Sequence, residues 1–481
     1  MAKADTTRVT VLDNGFTIVT DSVPHVETMS AGVYVGVGSK NEVPENNGIS
    51  HFLEHLMFKG TKTRTSQGLI EELEAEGISV NAYTSKEITT YHMSGLKETM
   101  PKAVEVLADM MKRSQFPQHE LDQEREVVKQ EISRSEDNAM RRMANQLFRQ
   151  AYPDQSYGRT TLGPAENIDS LTREQFFDYV RENYTAENMV LAVSGNVDHD
   201  EVVRLAKQHF DALPAGKPTP AEPAEYVGGY EKEAGPINQA HFALGMKSVG
   251  QDHPDFYATV MATKILGGGM SSRLFNEVLE KRGLVYTTQA AYSGNDDIGM
   301  VYVYGGTGEK ELAEMVPVMA REITRLSEDA TQAELDKVRK RLMTSLAQGQ
   351  EALEDRREGI GTEMLNKGYV ESMDSVKAKL DAVTVEDIKR VAANWRRNPP
   401  TVACYGKVDN LPSYDEIKDM LPAPQDPGLR ADRMYSLAGI RPEMDAPEID
   451  VTALLNRKPK AANTDSKPAP AQRPRVGGMG M

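Results

Sequence analysis

Hydrophobic positions change their spacing several times along the chain, and each change predicts an element. Val9 and Val11 alternate with polar residues, Asp13-Asn14-Gly15 offers a turn, and Phe16 and Ile18 resume the alternation, which predicts a hairpin. SAGVYVGVG (30–38) reads as a strand, and Asn47 to Phe58 reads as a helix with Gly60 placed to end it. ISVNAYTS and ITTYHMSGL follow as two strands. Helical spacing covers Pro101 to Ser114 and Gln118 to Gln150, another helix begins near Thr172, and MVLAVSGNVD (189–198) closes the series as a strand.

The Pro- and Ala-rich stretch PAGKPTPAEPAEY (214–226) reads as an extended linker. After it the order recurs: strand QAHFALGM, a helix near His253 to Leu266, strands around Val285 and Val301, long helices, and a closing strand. The closing units are alike in sequence, LTREQFFDYV leading to MVLAVSGNVD and VTVEDIKRVA leading to TVACYGKVD. This predicts two tandem homologous α+β domains, each a mixed sheet flanked by helices. The expected boundaries are 1–213 for the N-terminal domain, 214–228 for the linker and 229–422 for the C-terminal domain. Residues 423–481 are poor in periodic apolar positions and are expected to form a disordered tail, with a short helix near Val451 to Leu455.

Composition adds exclusions. A chain of 481 residues with 39% hydrophobic and 27% charged residues is an ordinary soluble type. No apolar run approaches the roughly 20 residues that cross a bilayer. The N-terminus has no signal-peptide core, and the single Cys404 allows no internal disulfide. A cytoplasmic protein is expected, or a mitochondrial matrix one if a presequence has been removed. The formal net charge of −16 opposes general nucleic-acid binding.

The candidate chemistry lies in GISHFLEHLMFKG. His51 and His55 are four residues apart on a predicted helix, hence on one face. Two imidazoles so placed can meet one Zn²⁺ at about 2.0–2.1 Å each. Glu54, beside them, can accept a proton from water that the metal acidifies. The order H-x-x-E-H is that of the inverzincins. The plain alternative is an ordinary helix with two histidines, which the intervening Glu disfavours. A catalytic site needs a third ligand, and Glu124 and Glu131 share one face of the next long helix with Val127 and Val128. Spacing alone leaves the choice between those two carboxylates open.

The chain resembles the pitrilysin-type inverzincins, the group that includes the beta subunits of mitochondrial processing peptidase and their bacterial relatives. The likeness covers roughly residues 6 to 420, through GSKNE, HFLEHLMFKGT, NAYTSKE, EREVVKQEI and GGGMSSRLF. It implies Glu131 as third ligand and Glu124 as the acid supporting a ligand histidine. It also implies that Asn81 and Ala82 lie on an edge strand that pairs with extended substrate, and that Tyr286 reaches the bound peptide. Where the family usually has an Arg, this chain has Leu279. The resemblance further implies that the two domains face each other as a clam-like chamber, in a homodimer or a heterodimer with a related subunit.

The expectation is therefore a zinc endopeptidase with one Zn²⁺ per chain, since the second half lacks H-x-x-E-H. Its substrates would be unfolded or presequence-like peptides. The acidic total and the run Glu71 to Glu76 favour basic residues near the cut. The rivals are a non-catalytic peptide-binding or structural subunit, and a half-enzyme completed by a partner.

Overall fold

The computed structural model describes residues 6–216, 220–295 and 298–424. The tail expected after residue 422, with its short helix, lies outside the described residues apart from its first two positions.

Two sheets organise the chain. The first contains β1 (Thr7–Val11), β2 (Thr17–Ser22), β3 (Thr28–Val35), β4 (Ser79–Thr84), β5 (Thr89–Leu96) and β6 (Met189–Gly195), in the order β1-β2-β6-β3-β5-β4. The second contains β7 (Gly229–Ala234), β8 (Ala240–Val249), β9 (Thr287–Gly294), β10 (Ile298–Thr307) and β11 (Thr401–Gly406), in the order β7-β11-β8-β10-β9. The closing strand takes the same place each time. β6 runs parallel to β2 and antiparallel to β3, and β11 runs parallel to β7 and antiparallel to β8. The expected repeat is thus present in topology, with β1 as an addition to the first copy. The hairpin at Asp13-Asn14-Gly15 pairs Val11 with Thr17.

Each sheet is covered on one face by helices of its own half, around two large apolar cores. The other face is covered by a helix from the opposite half. Helix Ala139–Ala151 packs Met143 and Leu147 on Ala243, Met300 and Tyr304 of the second sheet. Helix Leu353–Lys367 packs Ile360 and Met364 on Val19, Val190 and Ala192 of the first. Fully burying each such side chain contributes about 1.5–3 kcal/mol. Gly361 allows this close approach, because a Cβ there would lie 2.2 Å from the Tyr34 ring.

The Leu353–Lys367 helix also docks through charge. Arg356 grips the fully buried Asp21 with two nitrogens at 2.6 and 2.7 Å. Arg357 donates to Tyr34 Oη at 2.6 Å and Ser30 Oγ at 3.0 Å, and Glu358 accepts from the Tyr34 and Tyr83 hydroxyls.

Some local expectations needed correction. The helix read from Gln118 to Gln150 is two helices, Gln118–Asp137 and Ala139–Ala151. Asn138 breaks it, taking an extended conformation and capping the second helix by accepting from the Arg141 N–H at 3.0 Å. The segment read as an extended linker has no helix or strand among its described residues, and its end is anchored. Tyr226 is buried, donates to Gly245 O and Pro399 O and accepts from Thr401 Oγ1. Helix His199–Phe210 was not predicted.

Candidate metal centre

The motif helix spans Ile49–Leu56 and buries Phe52, Leu53 and Leu56 completely, which fixes the opposite face. Its N-terminus is held by Glu42 of GSKNE. This buried carboxylate accepts from Gly48 N at 2.8 Å and Ser50 N at 2.9 Å. Acidic groups suit a helix N-terminus, where unpaired N–H groups point outward. Burial pushes the Glu42 carboxyl upward, against these hydrogen bonds.

His51 and His55 lie side by side, ring centroids 4.9 Å apart, with side chains 12% and 18% exposed. The Gln118–Asp137 helix brings Glu131 against both: its Oε2 lies 3.4 Å from His51 Nε2 and 3.6 Å from His55 Nε2. One ligand atom from each of these three residues lies within 4.8 Å of the others, and they form the one such group among the described residues. Both imidazoles hold Glu131 well below the usual carboxylate range.

Glu124 sits behind the group. Its Oε2 is 3.0 Å from His55 Nδ1 and its Oε1 is 2.6 Å from Lys59 Nζ. A proton on His55 Nδ1 donated to Glu124 leaves Nε2 as the free lone pair on the side facing Glu131. Burial lowers the His55 pKa, but hydrogen bonds with Glu124 and Glu131 outweigh it and push it up to about 9. His51 Nδ1, by contrast, is buried with no partner. Val128 is buried on the inner face of this helix, whereas Val127, expected there too, is 39% exposed.

Glu54 faces the cleft from the motif helix. Thr84 Oγ1 donates to its Oε2 at 2.6 Å. Among the described residues β4, which carries Thr84, is the sheet's edge and pairs with β5 alone, Asn81 opposite His92 and Ala82 opposite Tyr91. Asn81 Oδ1 accepts from the Ala82 N–H at 2.8 Å. A cavity of about 420 Å³ opens here, lined by His51, Glu54, Ala82 and Thr84, with Arg141 and Asn145 from the exchanged helix.

Other expected residues are placed elsewhere. Tyr286 is 66% exposed and does not line this cavity. Leu279 lies in a π-helical turn, Phe275–Glu280, and packs on the second core. The acidic run sits on helix Ser66–Ala75 and does not line the cavity either. Its Glu72 is engaged by Arg64 and Lys102, each at 2.7 Å. Three residues with roles here went unassigned in the sequence: Glu42, Lys59 and Thr84. Lys59, four residues after His55, and Thr84, in NAYTSKE, could have been found by spacing from the motif.

Residues 17–165 match the family described as Insulinase (Peptidase family M16), and residues 170–342 match the one described as Peptidase M16 inactive domain. Over 407 residues the chain is 33% identical to an uncharacterized zinc protease of Rickettsia bellii, covering 84% of this chain and 98% of that protein. The chain belongs to peptidase family M16. Within M16 it is also 33% identical to the mitochondrial-processing peptidase subunit beta of Homo sapiens, covering 86% of this chain and 87% of that one. A solved protease from Helicobacter pylori shares the M16 fold at a TM-score of 0.76 and 24% identity, covering 83% of this chain and 99% of that one. No helix among the described residues is long and apolar enough to cross a membrane.

Proposed function

We propose that this M16 chain is a zinc-dependent endopeptidase acting on unfolded or presequence-like peptides. The observation that supports it most is the meeting of His51 Nε2, His55 Nε2 and the Glu131 carboxylate beside Glu54. Two imidazole nitrogens and one carboxylate are a donor set that suits Zn²⁺ with a position left for water. Zinc held there supplies Lewis acidity toward a water and a peptide carbonyl.

The remaining steps belong to the protein. Glu124 fixes the His55 ring and its tautomer, and Lys59 holds Glu124. Thr84 orients Glu54 through one carboxylate oxygen and leaves the other to take a proton from water. Glu54 then returns that proton to the leaving amine. β4 offers its free edge at Asn81 and Ala82 to an extended backbone, which explains a preference for unfolded substrates. The Asn81 side chain must then give up the Ala82 N–H.

A second reading is that catalysis requires a related partner subunit. The apolar, core-packed Leu279 and the outlying Tyr286 favour it, because among the described residues the cavity is lined by neither a cation nor a phenol from the second half. Incubating the zinc-loaded chain with denatured proteins, and mapping new termini by mass spectrometry, tests both readings. Cleavage by the chain alone, abolished by chelation and restored by one equivalent of zinc, is the expected result. Cleavage only with an added subunit supports the second reading, and none under either condition overturns both.

A further inference from the structure

The loop Gly267–Phe275 (GGGMSSRLF) has no part in the cleft. It borders a small, half-enclosed pocket between helices Phe256–Gly267 and Gln332–Gly349. Three cations line this pocket: Lys264 from the first helix, and Lys337 and Arg341, one turn apart, from the second. Ser271 and Ser272 supply hydroxyls from the loop. Lys264, Lys337 and Arg341 form no ion pair or side-chain hydrogen bond among the described residues.

The one carboxylate on the wall is already committed. Glu334 accepts from Arg273 Nε at 2.7 Å and Nη2 at 2.9 Å, and from the Thr331 N–H and hydroxyl. Three uncompensated positive charges therefore converge in a chain whose net charge is −16. Burial, with the Arg341 charge acting the same way, pushes the Lys264 amine down to about 8. The glycines permit the arrangement. A Cβ on Gly269 would lie 1.9 Å from Arg341 Nη1, so glycine lets the guanidinium rest against the loop backbone. Lys264 is half-buried without a counter-charge while Lys337 and Arg341 stand at the exposed rim; a buried cation left unpaired is costly, and a bound anion removes that cost.

We infer that this pocket is a binding site for a phosphate-type oxyanion, gripped by Lys264, Lys337 and Arg341 with the Ser271 and Ser272 hydroxyls as further donors. A guanidinium fork beside two ammonium groups matches a tetrahedral oxyanion. The group bound is a single phosphate, free or carried on a peptide side chain. This site is independent of the peptidase reading.

Acetylation of Lys264 in the full-length, zinc-loaded chain, read by mass spectrometry, reports occupancy whatever happens at zinc. Inorganic phosphate at constant ionic strength is expected to slow it several-fold while the exposed Lys207 is unchanged. Arg341→Gln, at an exposed position, should require about tenfold more phosphate for equal protection. Lys337→Gln, also exposed, gives the same reading should Arg341→Gln fail to fold. Protection by a phosphoserine peptide at about tenfold lower concentration than phosphate, and none by its unphosphorylated twin, identifies a peptide as the source. Equal protection by the phosphoserine peptide and by inorganic phosphate identifies free phosphate, and protection by the unphosphorylated twin overturns the inference. Lys264 acetylated at one rate with and without every phosphate probe overturns the inference, as does unchanged protection in a folded Arg341→Gln or Lys337→Gln variant.

Discussion

Glu124→Gln separates the two carboxylates of the Gln118–Asp137 helix by function. Glu124 serves two donors, His55 Nδ1 at 3.0 Å on one oxygen and Lys59 Nζ at 2.6 Å on the other. Glutamine keeps the shape but has one acceptor, so one donor must face an amide NH₂. A hydrogen bond to a charged group contributes about 1.5–3 kcal/mol. Loss of the partner of a metal-binding histidine costs about 10–100-fold in metal affinity, which is about 1.4–2.7 kcal/mol. The two estimates agree. Glu124→Gln should therefore weaken zinc binding by about 10–100-fold, measured by competition with a chromogenic chelator at neutral pH. Glu131→Gln should weaken it further, because Glu131 belongs to the donor group itself. An affinity for Glu124→Gln within about twofold of wild type, or the reverse order of the two variants, would refute the reasoning.

Three other perturbations have defined outcomes. Thr84→Val removes the donor to Glu54 Oε2 and should lower kcat/KM about 10–100-fold with zinc content unchanged, whereas Thr84→Ser should stay near wild type. Arg356→Met leaves the fully buried Asp21 carboxylate unpaired and should cost about 3–5 kcal/mol by urea unfolding, so a loss under about 1 kcal/mol contradicts the account. Burial, reinforced by Arg357, pushes His92 from 6.5 down to about 4, so the unfolded chain binds this proton first as pH falls. Stability is present above about pH 6.5 and is lost towards pH 4, by up to about 3 kcal/mol at about 1.4 kcal/mol per pH unit. His92→Gln should flatten that part of the stability profile, and an unchanged slope contradicts the assignment.

Much of this was legible because it is local. The motif helix, the hairpin and the recurring order of elements each follow from spacing within about 20 residues. The choice between Glu124 and Glu131 did not, since residues seven apart share a helix face and periodicity weights them equally. Only the position of the helix relative to the two imidazoles separates them, with Glu131 reaching both Nε2 atoms and Glu124 reaching His55 Nδ1. The exchange of helices Ala139–Ala151 and Leu353–Lys367 was also beyond reach. Their apolar faces, Met143 and Leu147, and Ile360 and Met364, would fit either sheet, and nothing local names the partner. Asn138 is the instructive case. A capping residue inside a long helical pattern carried the signal for the break, and it was outweighed by the regular spacing on both sides.

The central claim is that Glu54 handles water's proton beside a zinc-binding group. Comparing wild type and Glu54→Gln for zinc content and for cleavage of an unfolded peptide tests it most directly. The account predicts full zinc occupancy in both proteins, with cleavage by the variant reduced about 10²–10⁴-fold. Wild-type cleavage rates in a zinc-loaded Glu54→Gln protein would contradict it.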